Sequence, residues 1–451
     1  MKKLLFFAAA MLVLALPAAN AQKVNTVKEV AKLEKADATL QDVKKNTKAA
    51  TWNAHGKAYT DAYMLPTKDL MRNIPIHTLM NAGAPIGQEE GVFAGTPVIV
   101  VKYEYVDVYV DQNMFILGWK QLMSVKEGLA ETAIASYKKA YELDPKLGEK
   151  INVNATTLAN ALIQQGEMLN FNGNVHEAAY NFELAYEALT IAPQGNVDSA
   201  SLFNAAMLYA IDASSKTGDE ALAAFRKTDE LCNKYINAGY KDETGNIYYY
   251  LFHSYYAQKD VDRDLYLGKA KEALLTGIKL YPKNNLILDG LMQLYTAEEG
   301  VGDPAELVAM IDASLKEDPT NYDLWFGRGR VFNALKNYDE CIKSFEKCVE
   351  LRPGEFEPLF YTGYFIIEKA NAQIEALNSN TNMDYEQYEA ENAKINLVYA
   401  EAIPWLEKAY ETNPADGATI EYLNQLCFRL RDMDGMMDKY NKYHELYLQT
   451  R

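Results

Sequence analysis

Along most of the chain, apolar and small residues recur at helical spacing in segments that follow one another in pairs. Trp325, Gly329 and Phe332 are separated by four and then three residues, which places them on one face of a helix. A second apolar stripe follows through Cys341 and Phe345. This pattern predicts two consecutive amphipathic helices joined by a short turn.

The spacing of large and small residues in this segment resembles that of the tetratricopeptide repeat. Gly329 stands where the repeat needs a small residue, and Trp325 and Phe345 stand where it needs large ones. A small residue lets two antiparallel helices approach closely while large residues fill the remaining space. The resemblance therefore implies an all-α fold, a right-handed α-solenoid of tetratricopeptide helix pairs.

The same template recurs elsewhere with varying fidelity. Gly166 and Phe182 occupy its small and aromatic positions in an earlier unit, and Gly363 occupies the small position of a later unit whose second helix contains Ala402. The separation of Gly363 from Ala402 exceeds that expected for the period of the repeat, so an insertion of about 27 residues is expected there. A unit that starts near Gly417 is predicted to cap the array.

The N-terminal part allows two interpretations. Trp52, Gly56 and Tyr59 match a first helix whose second helix contains Tyr137, which would make the intervening residues a large insertion. Alternatively, the segment from Met114 to Lys126 supplies its own first helix, and the sequence does not choose between them.

This N-terminal insertion contains the segment whose sequence most clearly predicts β-strand. Val98–Val110 is rich in Val and Tyr and follows a segment, 91–97, with turn-forming residues. A small β-containing insertion near the N-terminus is therefore part of the predicted fold.

These patterns predict five successive regions. They are a signal peptide at 1–21, an N-terminal helix with split first repeats and the β-containing insertion at 22–145, a central tetratricopeptide array at 146–353, a repeat with the insertion of about 27 residues at 354–414, and a capping repeat at 415–451.

The first residues have the features of an export signal. Lys2 and Lys3 precede an apolar run that ends at a small-residue site, with a predicted cut between Ala21 and Gln22. The apolar run is too short to span a bilayer, and the residue after the cut is not the Cys that a lipoprotein needs. We therefore expect a periplasmic or secreted protein without a direct membrane anchor.

Composition narrows the possible functions. A net charge of -17 repels phosphate backbones, so we do not expect a nucleic-acid partner. The 5 His residues are scattered, the 4 Cys residues lack metal-ligand spacing, and no catalytic motif is present. We predict no metal, no cofactor and no enzymatic activity.

The tetratricopeptide resemblance also implies a binding surface. In this family the first helices line a concave groove, and the corresponding positions in two units are occupied by Phe326, Arg330, Asn333, Phe360 and Tyr364. These residues are the expected partner-binding groove. Lysine is absent from the groove positions at which heat-shock co-chaperones of the family hold a C-terminal carboxylate, so a carboxylate clamp is not expected.

The groove positions are not among those whose side chains pack the two helices of a repeat together. We therefore expect Phe326, Arg330 and Tyr364 to be replaceable by Ala with little loss of stability. Arg330 is expected either to bind a carboxylate of the partner or to form a local ion pair.

The predicted function is that of a non-enzymatic interaction scaffold or adaptor of the cell envelope. Its groove is expected to bind a partner protein or peptide, and an envelope complex is one setting for that contact. The alternative is a glycan- or nutrient-binding helical-repeat protein associated with outer-membrane uptake, with Tyr249 and Tyr256 in a Tyr-rich helix as contact residues.

Overall fold

The computed structural model describes residues 25–79, 84–193, 197–281, 284–380 and 382–449. The predicted signal peptide and its predicted cut site lie outside these residues. The chain divides into two compact units, residues 1–241 and 242–451. The predicted all-α fold of helix pairs, with a small β-containing insertion near the N-terminus, is confirmed.

The first unit consists of helices with a sheet inserted after the second one. Its α-helices are α1 Thr26–Gln41, α2 Ala49–Met64, α3 Leu129–Leu143, α4 Gly148–Phe171, α5 Val175–Leu189, α6 Ala200–Ser214 and α7 Gly218–Asn237. Within it, α2 packs against α3, α4 against α5, and α6 against α7.

The pairing of α2 with α3 rests on a close approach at Gly56. A Cβ atom at this position would lie 2.5 Å from a ring carbon of Tyr137. The hydroxyl groups of Thr60 and Tyr137 are also 2.7 Å apart. Because the first helix at Gly56 packs against the second helix at Tyr137, the β-containing segment is an insertion between the two helices of one pair.

The insertion contains more strand than the sequence indicated. Its four strands are β1 Gly87–Phe93, β2 Thr96–Lys102, β3 Val106–Val110 and β4 Ile116–Gln121, in the antiparallel order β1-β2-β3-β4. The predicted turn at 91–97 is wrong except at Ala94 and Gly95, whose φ angles of 49° and 77° make a tight turn. A first helix at Met114–Lys126 is also wrong, because β4 occupies that segment.

The sheet has its own core, which explains why this segment adopts strands. Val101 and Val108 are fully buried, and Trp119 is 1% exposed. They form one apolar cluster with Met168 of α4. Buried and partly exposed residues alternate along β3, a pattern that favours a strand over a helix, whereas β2 buries four consecutive residues.

The second unit consists of successive helix pairs. Its helices are α8 Asn246–Ala257, α9 Arg263–Leu280, α10 Asn285–Ala297, α11 Pro304–Glu317, α12 Tyr322–Ala334, α13 Tyr338–Leu351, α14 Phe356–Ser379, α15 Tyr385–Thr412, α16 Gly417–Arg429 and α17 Met436–Gln449. Each even-numbered helix packs against the odd-numbered helix that follows it.

Polar side chains at the turns set where these helices begin. The side-chain oxygens of Asn321, Asn337 and Asp416 accept backbone N–H groups in the first turns of α12, α13 and α16, respectively. Asp384 and Gln387 form a reciprocal capping box at the start of α15. Such caps satisfy donors that a helix leaves unpaired at its N-terminus.

The insertion between Gly363 and Ala402 is mostly helical. It lengthens both members of one pair, so that α14 has 24 residues and α15 has 28. Buried residues such as Leu377 and Ile395 continue the apolar contact between them. The extra residues therefore extend the repeat instead of forming a loop beside it.

None of the described helices is long and apolar enough to cross a membrane. Among the same residues, no group of three or more His, Cys, Asp or Glu side chains is arranged to hold a metal ion.

Candidate functional site

A stripe of aromatic side chains runs along α14 in the second unit. Phe356, Phe360 and Tyr364 are spaced by four residues and therefore lie on one side of the helix. The ring centroids of Phe356 and Phe360 are 5.8 Å apart, and those of Phe360 and Tyr364 are 6.0 Å apart. The rings of Phe360 and Tyr364 are nearly parallel, with an interplanar angle of 7°.

Rings from the neighbouring first helices extend this stripe on both sides. Tyr422 of α16 lies 6.0 Å from Phe360 and 5.6 Å from Tyr364, measured between ring centroids. On the other side, Tyr361 lies 5.9 Å from Phe326 of α12. All of these rings are half-buried. We call this surface the aromatic face, and it comprises Phe326, Phe356, Phe360, Tyr361, Tyr364 and Tyr422.

Phe326 contributes to packing as well as to this surface. Its ring centroid is 5.3 Å from that of Phe345, which is 1% exposed and belongs to the core of the α12–α13 pair. Phe326 therefore takes part in the packing of this helix pair, contrary to the expectation that its position lies outside the packing. Removing a ring that contacts a buried ring leaves a cavity, which destabilises a protein.

Arg330 already has a partner within the chain. Its guanidinium group forms an ion pair with Asp289 of α10, and both side chains are partly exposed. Burial raises the pKa of the Asp289 carboxyl group, although Arg330 opposes that shift. Of the two roles open to Arg330 from the sequence, the structure shows the local ion pair. Asn333 is exposed near the end of α12.

Glu368, which was not predicted from the sequence, continues the aromatic stripe of α14 by one further turn. Asn371 donates a hydrogen bond of 3.0 Å to one oxygen of this half-buried carboxylate. Burial and then the charge of Glu368 raise the pKa of the Tyr364 hydroxyl, and the same two causes act first on Tyr422. The four-residue spacing that starts at Phe356 was the signal in the sequence that could have indicated Glu368.

The small residues of the repeat template lie at close helix contacts. A Cβ atom on Gly329 would lie 2.7 Å from a ring carbon of Phe345, and one on Gly363 would lie 2.7 Å from Leu406. At Gly166 the corresponding distance to Phe182 is 3.1 Å. Each of these glycines therefore lies directly against the second helix of its pair.

Trp325 has a more exposed position than these glycines. It is half-buried, and its indole N–H donates to the backbone carbonyl of Pro319 at 2.9 Å. This bond joins α12 to the turn that precedes it.

A second feature missed from the sequence is the network around Arg328. Its guanidinium group donates to Asp312 at 2.7 Å, to Ser344 at 2.9 Å and to Glu340 at 2.9 Å. Hydrogen bonds from Lys343 and then Arg328 hold the pKa of Glu340 below its ordinary value. Because these partners lie on α11 and α13, Arg328 connects three helices.

The tyrosines proposed as glycan contacts are engaged within the chain. The hydroxyl of Tyr256 donates to Glu298 at 2.8 Å, and the ammonium group of Lys259 lies 4.3 Å from the centroid of its ring. The hydroxyl of Tyr249 is 3.0 Å from His253. These contacts engage the hydroxyl groups of both tyrosines.

The first unit contains a cavity of about 530 Å³, with Lys216 and Lys227 in its lining, that offers a comparison. Its lysines already have carboxylate partners: Lys216 contacts Asp212 at 2.6 Å, and Lys227 contacts Glu183 at 2.7 Å. The aromatic face differs because its rings form a continuous surface and Glu368 forms no ion pair with a described basic residue.

Comparison with known proteins identifies one segment directly. The family model of the tetratricopeptide repeat matches residues 322–355, which contain α12 and α13. No curated protein matches the chain.

Several solved structures show a partial likeness to the chain. A MamA mutant is 18% identical over 46% of this chain and 97% of its own, with a TM-score of 0.25. A TPR repeats protein from Bacteroides fragilis is 16% identical over 59% of this chain and 97% of its own, with a TM-score of 0.28. YrrB, described as a TPR protein with an unusual peptide-binding site, is 14% identical over 63% of this chain and 96% of its own, with a TM-score of 0.27. The family match, placed on the helix pair that contains Gly329 and Phe345, identifies residues 322–355 as a tetratricopeptide repeat and the chain as a protein that carries this repeat.

Proposed function

We propose that the chain is a non-enzymatic interaction scaffold that binds a partner protein or peptide on the aromatic face. The observation that carries the proposal is the continuous surface of half-buried rings from α12, α14 and α16. Aromatic side chains are enriched at protein interfaces because they bury a large area with little loss of conformational freedom.

The position of these rings in the repeat supports the same function. Phe326, Phe360 and Tyr364 occupy groove positions of their units, and their rings contact rings of adjacent first helices. A surface made by three helices presents more area than a single helix does. An extended peptide that crosses the helices would contact several rings at once.

We expect Tyr364→Ala to lower the affinity for the captured partner by at least about tenfold, a usual effect for an aromatic anchor. Purified wild-type and variant proteins would be immobilised and compared for retention of envelope proteins over a range of concentrations. Tyr385→Ala is the matched control, because Tyr385 is 77% exposed at the start of α15 and lies outside the aromatic face.

Equal retention by wild-type and Tyr364→Ala proteins would contradict the proposal. Circular dichroism and the Tm of both variants would be measured first, since Tyr364 also contacts Phe365 at a ring-centroid distance of 5.0 Å.

We further propose that the protein acts in the cell envelope after removal of residues 1–21. The support is the sequence of the N-terminal segment, with its basic start, apolar run and small-residue site. The intact mass of the protein purified from its native cell should correspond to a chain that begins at Gln22. A mass that includes the first 21 residues would contradict export by this signal.

A further inference from the structure

Among the described residues, the negative charge of Glu368 has no basic partner to balance it. One oxygen of this carboxylate accepts the 3.0 Å hydrogen bond from Asn371, whose own side-chain oxygen accepts from Tyr399 at 2.6 Å. In the part of the chain that the structure describes, no lysine or arginine forms an ion pair with Glu368. A half-buried carboxylate without a counterion retains the capacity to accept hydrogen bonds from a ligand.

Three basic residues of the second unit are engaged with other groups. Arg330 pairs with Asp289, and Lys369 contacts Asp339 at 2.7 Å. The Arg429 guanidinium lies over the ring of Tyr399 and donates to Asn396 and Asn392. The carboxylate of Glu368 therefore remains able to bind a basic group of a partner, whereas the guanidinium group of Arg330 is already paired.

Aromatic rings beside a carboxylate favour a cationic group. The faces of Phe and Tyr rings attract an ammonium or guanidinium group, and arginine also stacks on such rings. The same group forms charge-assisted hydrogen bonds with a carboxylate. Glu368 follows Tyr364 by one helical turn, so one side chain of a partner can contact the ring and the carboxylate together.

We infer that the aromatic face binds a basic segment of a partner protein, in which an arginine or lysine meets Glu368 and apolar side chains lie on the rings. This inference rests on the proposed function and adds the chemistry of the partner. An acidic segment is disfavoured because Glu368 repels it and Arg330 is already paired. The net charge of -17 would also accelerate the encounter with a basic partner.

The test uses short fluorescein-labelled peptides that share leucine and proline positions and carry arginine, glutamine or glutamate at the others. Binding to the mature full-length protein would be measured by fluorescence anisotropy at low and physiological salt. We expect the arginine peptide to bind about tenfold more tightly than the glutamine peptide and to lose affinity as salt rises. The glutamate peptide should bind most weakly.

Glu368→Gln should lower the affinity for the arginine peptide by about fivefold and leave the affinity for the glutamine peptide unchanged. Only the arginine peptide interacts with the negative charge of Glu368. Glu389→Gln, at an exposed position of α15, is the matched control and should change neither affinity. An arginine preference that Glu368→Gln does not reduce, or tighter binding of the glutamate peptide, would overturn the inference.

Tyr364→Ala separates this outcome from failure of the proposed function. If that variant weakens the glutamine peptide while Glu368→Gln has no effect, the aromatic face is a binding surface but its partner is not selected by charge. If no peptide binds, or if Tyr364→Ala changes none of the affinities, both the inference and the proposed function are contradicted.

Discussion

Replacing Gly329 with Leu should lower the free energy of unfolding by about 3 kcal/mol, the upper part of the usual range for overpacking. The first added atom alone would lie 2.7 Å from one ring carbon of Phe345 and 2.8 Å from another. Phe345 is 1% exposed and contacts Phe326, Tyr361 and Phe365, so its ring cannot move away freely. The helices α12 and α13 would have to separate.

The measurement is urea unfolding of the mature protein followed by circular dichroism, with the midpoint and slope compared between variants. Gly354→Leu is the matched control because a Cβ atom there meets nothing within 4 Å. It should change stability by less than about 0.5 kcal/mol. Equal losses in the two variants would show that the close approach at Gly329 does not determine the stability of this repeat.

Arg328→Ala should lower the free energy of unfolding by about 2 to 3 kcal/mol, since it removes a mostly buried charge from its partners. The Arg328 side chain is 12% exposed, while those of Asp312 and Glu340 are 41% and 29% exposed. Partial exposure of the two acids lets water replace part of the lost interaction, which keeps the effect below that of a fully buried pair. The guanidinium also covers the ring of Phe332 at 4.5 Å.

The difference between wild type and Arg328→Ala should depend on pH. Because the folded-state pKa of Glu340 is lowered, its contribution is present above the ordinary carboxyl pKa and is lost as pH falls through the folded value. The two unfolding curves should therefore converge under acidic conditions. Arg226→Ala, at an exposed position of α7, is the control and should have little effect at any pH. A pH-independent difference would show that the aliphatic part of Arg328, rather than its charge, stabilises the structure.

The helix pairs could be predicted from the sequence because the spacing of small and large residues within a short segment determines where two helices pack. A small residue such as Gly329 or Gly56 is required wherever two helices cross closely, and its spacing from the next large residue is visible in the chain. The extent of the sheet was underestimated because Gly91 and Pro97 read as turn residues, although Gly91 pairs with Val98 and Pro97 with Val92 in the β1–β2 ladder.

The surface chemistry was less predictable than the helix pairs. Arg330 was placed on the expected helix, but its partner Asp289 lies 41 residues away in another unit of the repeat. The same applies to Arg328, whose network depends on how three helices meet. Glu368 is the 13th residue of α14, within the length of an ordinary first helix such as α12, but it is not one of the groove positions of the standard repeat, so the template did not include it.

Site-specific photo-crosslinking in living cells tests most directly whether the aromatic face is the binding surface. A photoreactive phenylalanine would replace Tyr364 in one version of the protein and Tyr385 in another. Non-specific capture should favour position 385, where the native side chain is 77% exposed. We expect a discrete crosslinked partner from position 364, lost when Glu368→Gln and Tyr422→Ala are added, and only diffuse products from position 385. Crosslinks that are equally strong from both positions, or that appear only at 385, would contradict the account.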